Sequence, residues 1–177
     1  LGGIGIPKGA VGDYAFAECK NLMAVDLGQG VTSLGHGAFS GCVGLESIVI
    51  PGSVVSVGSE AFARCASLRD VEIAEGVTEI QYATFAECAA LTSVTIPTSM
   101  TSIGARAFFN CASLEEITVP GRVTAIWEEA FAGCSRLSSA TLAEGLVTIG
   151  DRAFAETALT EFTIPASVTA IGPNTFH

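Results

Sequence analysis

At 177 residues the chain has the length of one domain, and 49% hydrophobic against 15% charged residues argues for a packed core and against disorder. Eight Lys and Arg against eighteen Asp and Glu leave a net charge of −10, which speaks against nucleic acid as a partner, since neutralising phosphates needs clustered bases. No apolar run is long enough to span a bilayer, so no transmembrane segment is expected, and the glycine-rich start from Leu1 to Gly12, with Pro7 inside it, does not read as a signal peptide.

Taken in order, residues 1–15 read as a degenerate first unit, with Ile4, Ile6 and Val11-Gly12 at recognisable places. From there a ladder of phenylalanines sets a period: Phe16, Phe39, Phe62, Phe85, Phe108, Phe131, Phe154 and Phe176, with 23 residues at every step but the last, which has 22. Cys follows Phe by three in six units, at Cys19, Cys42, Cys65, Cys88, Cys111 and Cys134, and Thr157 takes that place in the seventh. Leu comes three residues later. Next is an alternating β-branched pair such as Ile48/Ile50, Val71/Ile73 or Val94/Ile96, which predicts a short half-buried strand. A turn follows, opened by Pro51, Pro97, Pro120 or Pro165, and a proline there lacks the N–H that would continue a ladder.

A second apolar pair, as in Val77/Ile80 or Val123/Ile126, precedes a frequent glycine (Gly35, Gly58, Gly104, Gly150, Gly172), expected at a backbone position favouring φ > 0. The Ala-Phe-x-x-Cys segment is too short for a free-standing helix and is expected to form one helical or 3₁₀ turn. Residues 159–177 make an incomplete last repeat. One unit cannot hide its own apolar side, but stacked units can, with strands pairing in parallel at about 4.8 Å per step and a rod about 34 Å long. The expected fold is thus one mainly-β solenoid over residues 1–177, about seven repeats, with a parallel sheet on the concave side and tight turns on the other.

Written as L-x-x-I-x-I-P-x-x-V-x-x-I-G-x-x-A-F-x-x-C, the unit resembles the BspA-like leucine-rich repeats, a match carried by Leu91, Val94, Ile96, Pro97, Met100, Ile103, Gly104, Ala107, Phe108 and Cys111. The resemblance implies a leucine-rich-repeat solenoid, and many members of the family are surface or secreted proteins associated with adhesion and protein binding. It implies no catalytic site. Departures are Gln81 and Trp127 at the glycine position, Ala140 and Phe162 in the strand, and Thr157 for Cys.

Six cysteines at one period fall within disulfide distance of each other, but their side chains point the same way, so they are expected to be free, buried thiols acting as small hydrophobes. Without C-x₂-C pairs or neighbouring His, no metal is expected. The outward strand positions carry Asp26, Asp70, Glu72, Thr95, Glu116 and Thr118, a hydroxyl-rich face with scattered acids that solenoids use for partners; the plainer reading is a merely soluble sheet face. On the other side Trp127 replaces glycine and Phe109 stands where other units have Ser or Ala, and together they are candidates for one exposed apolar contact patch. The plainer reading has Trp127 lying flat over its neighbours to cover a local defect. Arg106, Glu129 and Arg152 occupy one repeat position and predict a surface ion-pair ladder, and Arg64 with Glu87 stack alike.

Catalysis has little to stand on. His36 and His177 are the two histidines, no Ser or Cys has a base at a motif spacing, and Gly28-Gln29-Gly30 lacks the third glycine of a phosphate loop. The sequence therefore predicts a non-enzymatic protein-binding or scaffold module, without cofactor, of the surface or secreted adhesion type; the alternative is an accessory subunit docked in a larger intracellular or organellar assembly. Its ends, lacking polar caps, are candidates for end-to-end packing with neighbouring repeats or subunits.

Overall fold

A computed structural model describes residues 2–177; Leu1, the start of the expected solenoid, lies outside them. The chain winds as a parallel-strand solenoid, and among the described residues there is no helix. Strands at Gly3–Val11, Ala24–Leu34, Ser47–Ile50, Asp70–Ile73 and Ser93–Thr95 follow one another in one parallel sheet, and Glu116–Val119 pairs with Ser139–Leu142 in a second, shorter stretch of the same face. A narrow companion sheet of two-residue strands, from Glu79–Ile80 to Ala170–Ile171, runs along an adjacent side. Exposure alternates residue by residue in the strands, as at Asp70–Ile73, which fixes Val71 and Ile73 inside and Asp70 and Glu72 outside.

Proline decides where the inner sheet holds. The strand Asp70–Ile73 pairs along its whole length with Ser47–Ile50, and the Ala74 N–H continues the ladder to the Ile50 carbonyl at 2.9 Å. The strand Ser139–Leu142 pairs likewise with Glu116–Val119, and Ala143 donates to Val119 at 3.1 Å. The strands that run into Pro51, Pro97, Pro120 and Pro165 have no such donor at the exit. Their pairing with the preceding coil is reduced to Ala24↔Ser47 before Pro51 and stops at Thr95 before Pro97. No ladder joins Ser93–Thr95 to Glu116–Val119, or Ser139–Leu142 to the segment 160–163. The entry bonds fail at the same steps. Thr92 donates to Arg69 at 2.9 Å and Ser138 to Glu115 at 3.0 Å, while Glu115 and Thr160 have no counterpart bond.

The opposite wall never breaks. Each phenylalanine N–H donates to the next coil at 2.8–2.9 Å, from Phe16→Ala38 to Phe154→Thr175. Bonds to residue i−3, such as Cys19→Phe16 at 3.2 Å, do occur in the Ala-Phe-x-x-Cys segment, as expected for a 3₁₀-type turn. They fall on alternate residues only. The residues two before and two after each Phe take positive φ, for example Arg106 (56°) and Asn110 (58°) around Phe108, and this turns every second N–H outward to the next coil. A helix is excluded because left-handed residues interrupt it twice per coil.

The glycine expectation needs correction. Gly35, Gly58, Gly104, Gly150 and Gly172 are not among the positive-φ residues. Close approach selects them instead: a Cβ on Gly58 would lie 2.6 Å from the Gly35 carbonyl carbon, and one on Gly104 would lie 2.6 Å from Gln81. Left-handed glycines sit elsewhere, at Gly41 and Gly133 two residues after Phe.

Inside, the rings of Phe16 to Phe154 stack at 5.2–5.5 Å between centroids and within 9° of parallel. The column ends irregularly, where Phe162 tilts against both Phe154 and Phe176. The thiols are free, and five of the six are buried as expected, while Cys19, on the first turn of the column, is exposed. Each buried thiol donates to the carbonyl of the Phe in the preceding coil, as Cys88 does to Phe62 at 3.2 Å. Burial in an apolar column pushes the thiols up, Cys42 to about 11 and Cys88 and Cys134 to about 12.

Candidate functional site

Two surfaces gather the non-repeating side chains. On the inner sheet Asp26, Asp70, Glu72, Thr95, Glu116 and Thr118 all face solvent, held outward by the period-two alternation of their strands. Where the ladder fails, a depression of about 380 Å³ opens, lined by Thr95, Glu116 and Thr118 with the partly uncovered Val94 and Ile96 at its floor. A second, of about 440 Å³, lies at the other break and includes Glu161 and Phe162. The sequence signal for each break is the proline that closes the later segment of the step, Pro120 after Val119 and Pro165 after 160–163.

Charge is distributed unevenly between this face and the rest. Among the described residues the ion pairs are Lys20–Glu18, Arg136–Glu115, and Arg106 and Arg152 with Glu129, Arg152 also reaching Glu156 at 3.3 Å. The expected Arg106–Glu129–Arg152 ladder is therefore present. The Arg64/Glu87 pair is not: Arg64 turns back to donate to the Ser40 hydroxyl at 2.9 Å. Asp26, Glu72, Glu116 and Glu161 take part in none of these pairs, and Asp70 accepts only the Ser93 hydroxyl at 3.0 Å.

The second surface is the corner that carries Trp127 and Phe109. The structure does not join them into one patch. Phe109 is half-buried, faces back toward Tyr82 and Ala86, and is covered by the Arg106 guanidinium at 5.3 Å from the ring centroid. Trp127 is 51% exposed and lines a groove of about 580 Å³ with Ile149, Ala170 and Ile171, residues of the coils ahead.

The His36 ring is engaged edge-on by Tyr14 at 4.9 Å, and the His36 backbone N–H donates to the Asp13 carboxylate at 2.8 Å, a structural role. Among the described residues no three His, Cys, Asp or Glu are grouped to hold a metal ion, and no helix is long and apolar enough to cross a membrane.

Comparison with known proteins places this geometry. The model of the BspA type leucine-rich repeat region matches in six copies, over residues 4–89 and 56–177. A leucine-rich repeat protein from Bacteroides ovatus superposes on the whole chain with a TM-score of 0.91 at 32% identity, the match covering 46% of that protein. A leucine-rich repeat protein from Eubacterium ventriosum matches 92% of the chain and 45% of its own length, with a TM-score of 0.86 at 29% identity. The leucine-rich repeat protein of T. pallidum matches 87% of the chain and 75% of its own length, with a TM-score of 0.83 at 28% identity. The chain thus spans less than half the length of two of these proteins. No curated protein matches it. With the period, the phenylalanine column and the inner sheet all accounted for by one repeat model from residue 4 to residue 177, the chain belongs to the BspA-type leucine-rich repeat family.

Proposed function

We propose that the chain is a protein-binding module that takes its partner on the inner sheet, and that it forms part of a surface or secreted protein of adhesion type. The observation that carries the binding face is its acidity: Asp26, Glu72, Glu116 and Glu161 point to solvent and join no ion pair among the described residues, while the arginines Arg106, Arg136 and Arg152 pair elsewhere. Between the acids stand hydroxyls, Thr95 and Thr118 among them, and the breaks uncover Val94 and Ile96. A rigid face with this mixture favours a basic, hydrogen-bonding protein surface over a small ligand. The surface and adhesion setting follows from the family resemblance.

A photo-crosslinking side chain placed at Thr95 or Thr118 tests the face. A discrete adduct, competed by excess wild-type protein but not by a Glu72→Lys/Glu116→Lys variant, is the expected result. Adducts arising only from a crosslinker at Asn110, on the turn wall, overturn it. For the setting, protease applied to intact source cells removes a surface-borne protein and spares an internal one.

A further inference from the structure

The groove at Trp127 has three features that the other coils lack. Its indole, 51% exposed, stands at a position held by Gly35, Gly58, Gly104, Gly150 and Gly172 elsewhere, and the residues beside it in the groove include the small Ala105 and Ala170. Ile149 and Ile171 also line the groove. Two carboxylates, Glu128 and Asp151, line the same groove.

Among the described residues neither carboxylate joins an ion pair. The two nearby guanidiniums, Arg106 and Arg152, both go to Glu129. Asp151 also lacks the backbone donor that its counterpart uses. Asp13, which likewise follows the glycine position, accepts the N–H of His36 in the next coil at 2.8 Å. The residue facing Asp151 from the next coil is Pro173, which follows Gly172 and has no N–H to give. The Asp151 carboxylate lies against Gly172, where a side chain would collide with it, and among the described residues no side chain or N–H donates to it. An exposed indole flanked by two unpaired carboxylates is complementary to a positive charge, because the ring face attracts cations and the carboxylates add Coulomb attraction and hydrogen-bond acceptors.

We propose that the Trp127 groove is a second binding site, one that receives an arginine or lysine side chain from a partner protein, with the cation over the indole and its hydrogen bonds directed to Glu128 and Asp151. The site is separate from the inner sheet and stands or falls independently of it.

Trp127 is the sole tryptophan of the chain, so its emission reports this groove alone. The probe is a blocked Gly-Gly-Arg-Gly-Gly peptide, compared with the same peptide carrying uncharged citrulline. A saturable change in emission is expected with the arginine peptide and at least tenfold weaker binding of the citrulline peptide. Glu128→Gln combined with Asp151→Asn should weaken arginine-peptide binding at least fivefold. Both are exposed side chains without internal partners, so the fold is retained. Glu46→Gln, an exposed acid far along the solenoid from this groove, should leave the titration unchanged. Equal titration by the two peptides, or by wild type and the double variant, overturns the proposal. So does an equal loss with Glu46→Gln, since that reports overall charge and not a site.

Discussion

The turn wall and the inner sheet are built by the same coils, yet one is continuous and the other is cut twice. In the wall every N–H of the phenylalanine column from Phe16 to Phe154 reaches the next coil, every buried thiol reaches the preceding Phe carbonyl, and the rings stack without a gap. The inner sheet loses its ladder at the steps into Glu116–Val119 and into 160–163. The solenoid is therefore registered by its wall, and the sheet is free to vary. Freedom to lose backbone bonds on one side is what lets that side carry depressions and unpaired acids.

The largest effect should come from breaking the wall. Truncating Phe85 or Phe108 to Ala removes a fully buried ring with a stacked neighbour on each side and should cost about 3–5 kcal/mol. Phe16 is only partly buried and stacks on one side, so Phe16→Ala should cost distinctly less in urea unfolding. Equal losses at Phe16 and Phe108 would mean that the column is not what sets the register.

The thiol column gives the next effect, read through pH. Desolvation holds Cys42, Cys65, Cys88, Cys111 and Cys134 protonated in the native state above the ordinary thiol value of 9.0. Unfolded thiols ionise near that value, so above it the native state binds more protons. Stability is then fully present below about 9 and falls as pH rises, by about 1.4 kcal/mol per pH unit for each thiol at the steepest. Unfolding midpoints at pH 8 and pH 10 measure this, and Cys88→Ala with Cys111→Ala should flatten the slope. In native protein at pH 8 a thiol reagent should find Cys19 alone, and all six after denaturation.

Much of this was legible in the sequence because a repeat multiplies its own signal. Phe at every 23rd residue and Cys three later specify a column whatever the backbone between them does. The position of each exposed acid follows from strand alternation. The backbone details were less legible. Gly104 looks like a left-handed residue and is in fact a close-approach residue, while the left-handed positions are filled by Arg106 and Glu129, whose side chains give no hint of it. Phe109 and Trp127 look like one patch because they are neighbours along the coil order. They part because Phe109 faces the coil behind, under Arg106, and Trp127 lines a groove with the coils ahead. Direction along the axis is a property of packing that a repeat position does not encode.

The smallest effect belongs to the edge of the inner sheet, where a carboxylate takes up the N–H groups that follow a proline. Glu75 accepts the Thr98 N–H at 2.8 Å, the Thr98 hydroxyl at 3.0 Å and the Ser99 N–H at 3.0 Å, clasping the turn that Pro97 opens. Glu144 holds Ala166 and Ser167 after Pro165 in the same way, at 3.1 Å each. In both coils the proline removes a backbone donor, and the acid of the preceding coil gathers the next two N–H groups. These bonds favour the charged form and hold both carboxyls below the usual glutamate value of 4.5. Their contribution is therefore present above that value and is lost as pH falls through the depressed one. Glu75→Gln should leave the unfolding midpoint at pH 7 slightly lower and make the acid limb between pH 5 and pH 3, roughly the range over which such groups titrate, visibly shallower than in wild type. An acid limb unchanged by Glu75→Gln and Glu144→Gln together would mean that the clasp contributes nothing, and that the turn wall alone aligns the coils across the proline steps.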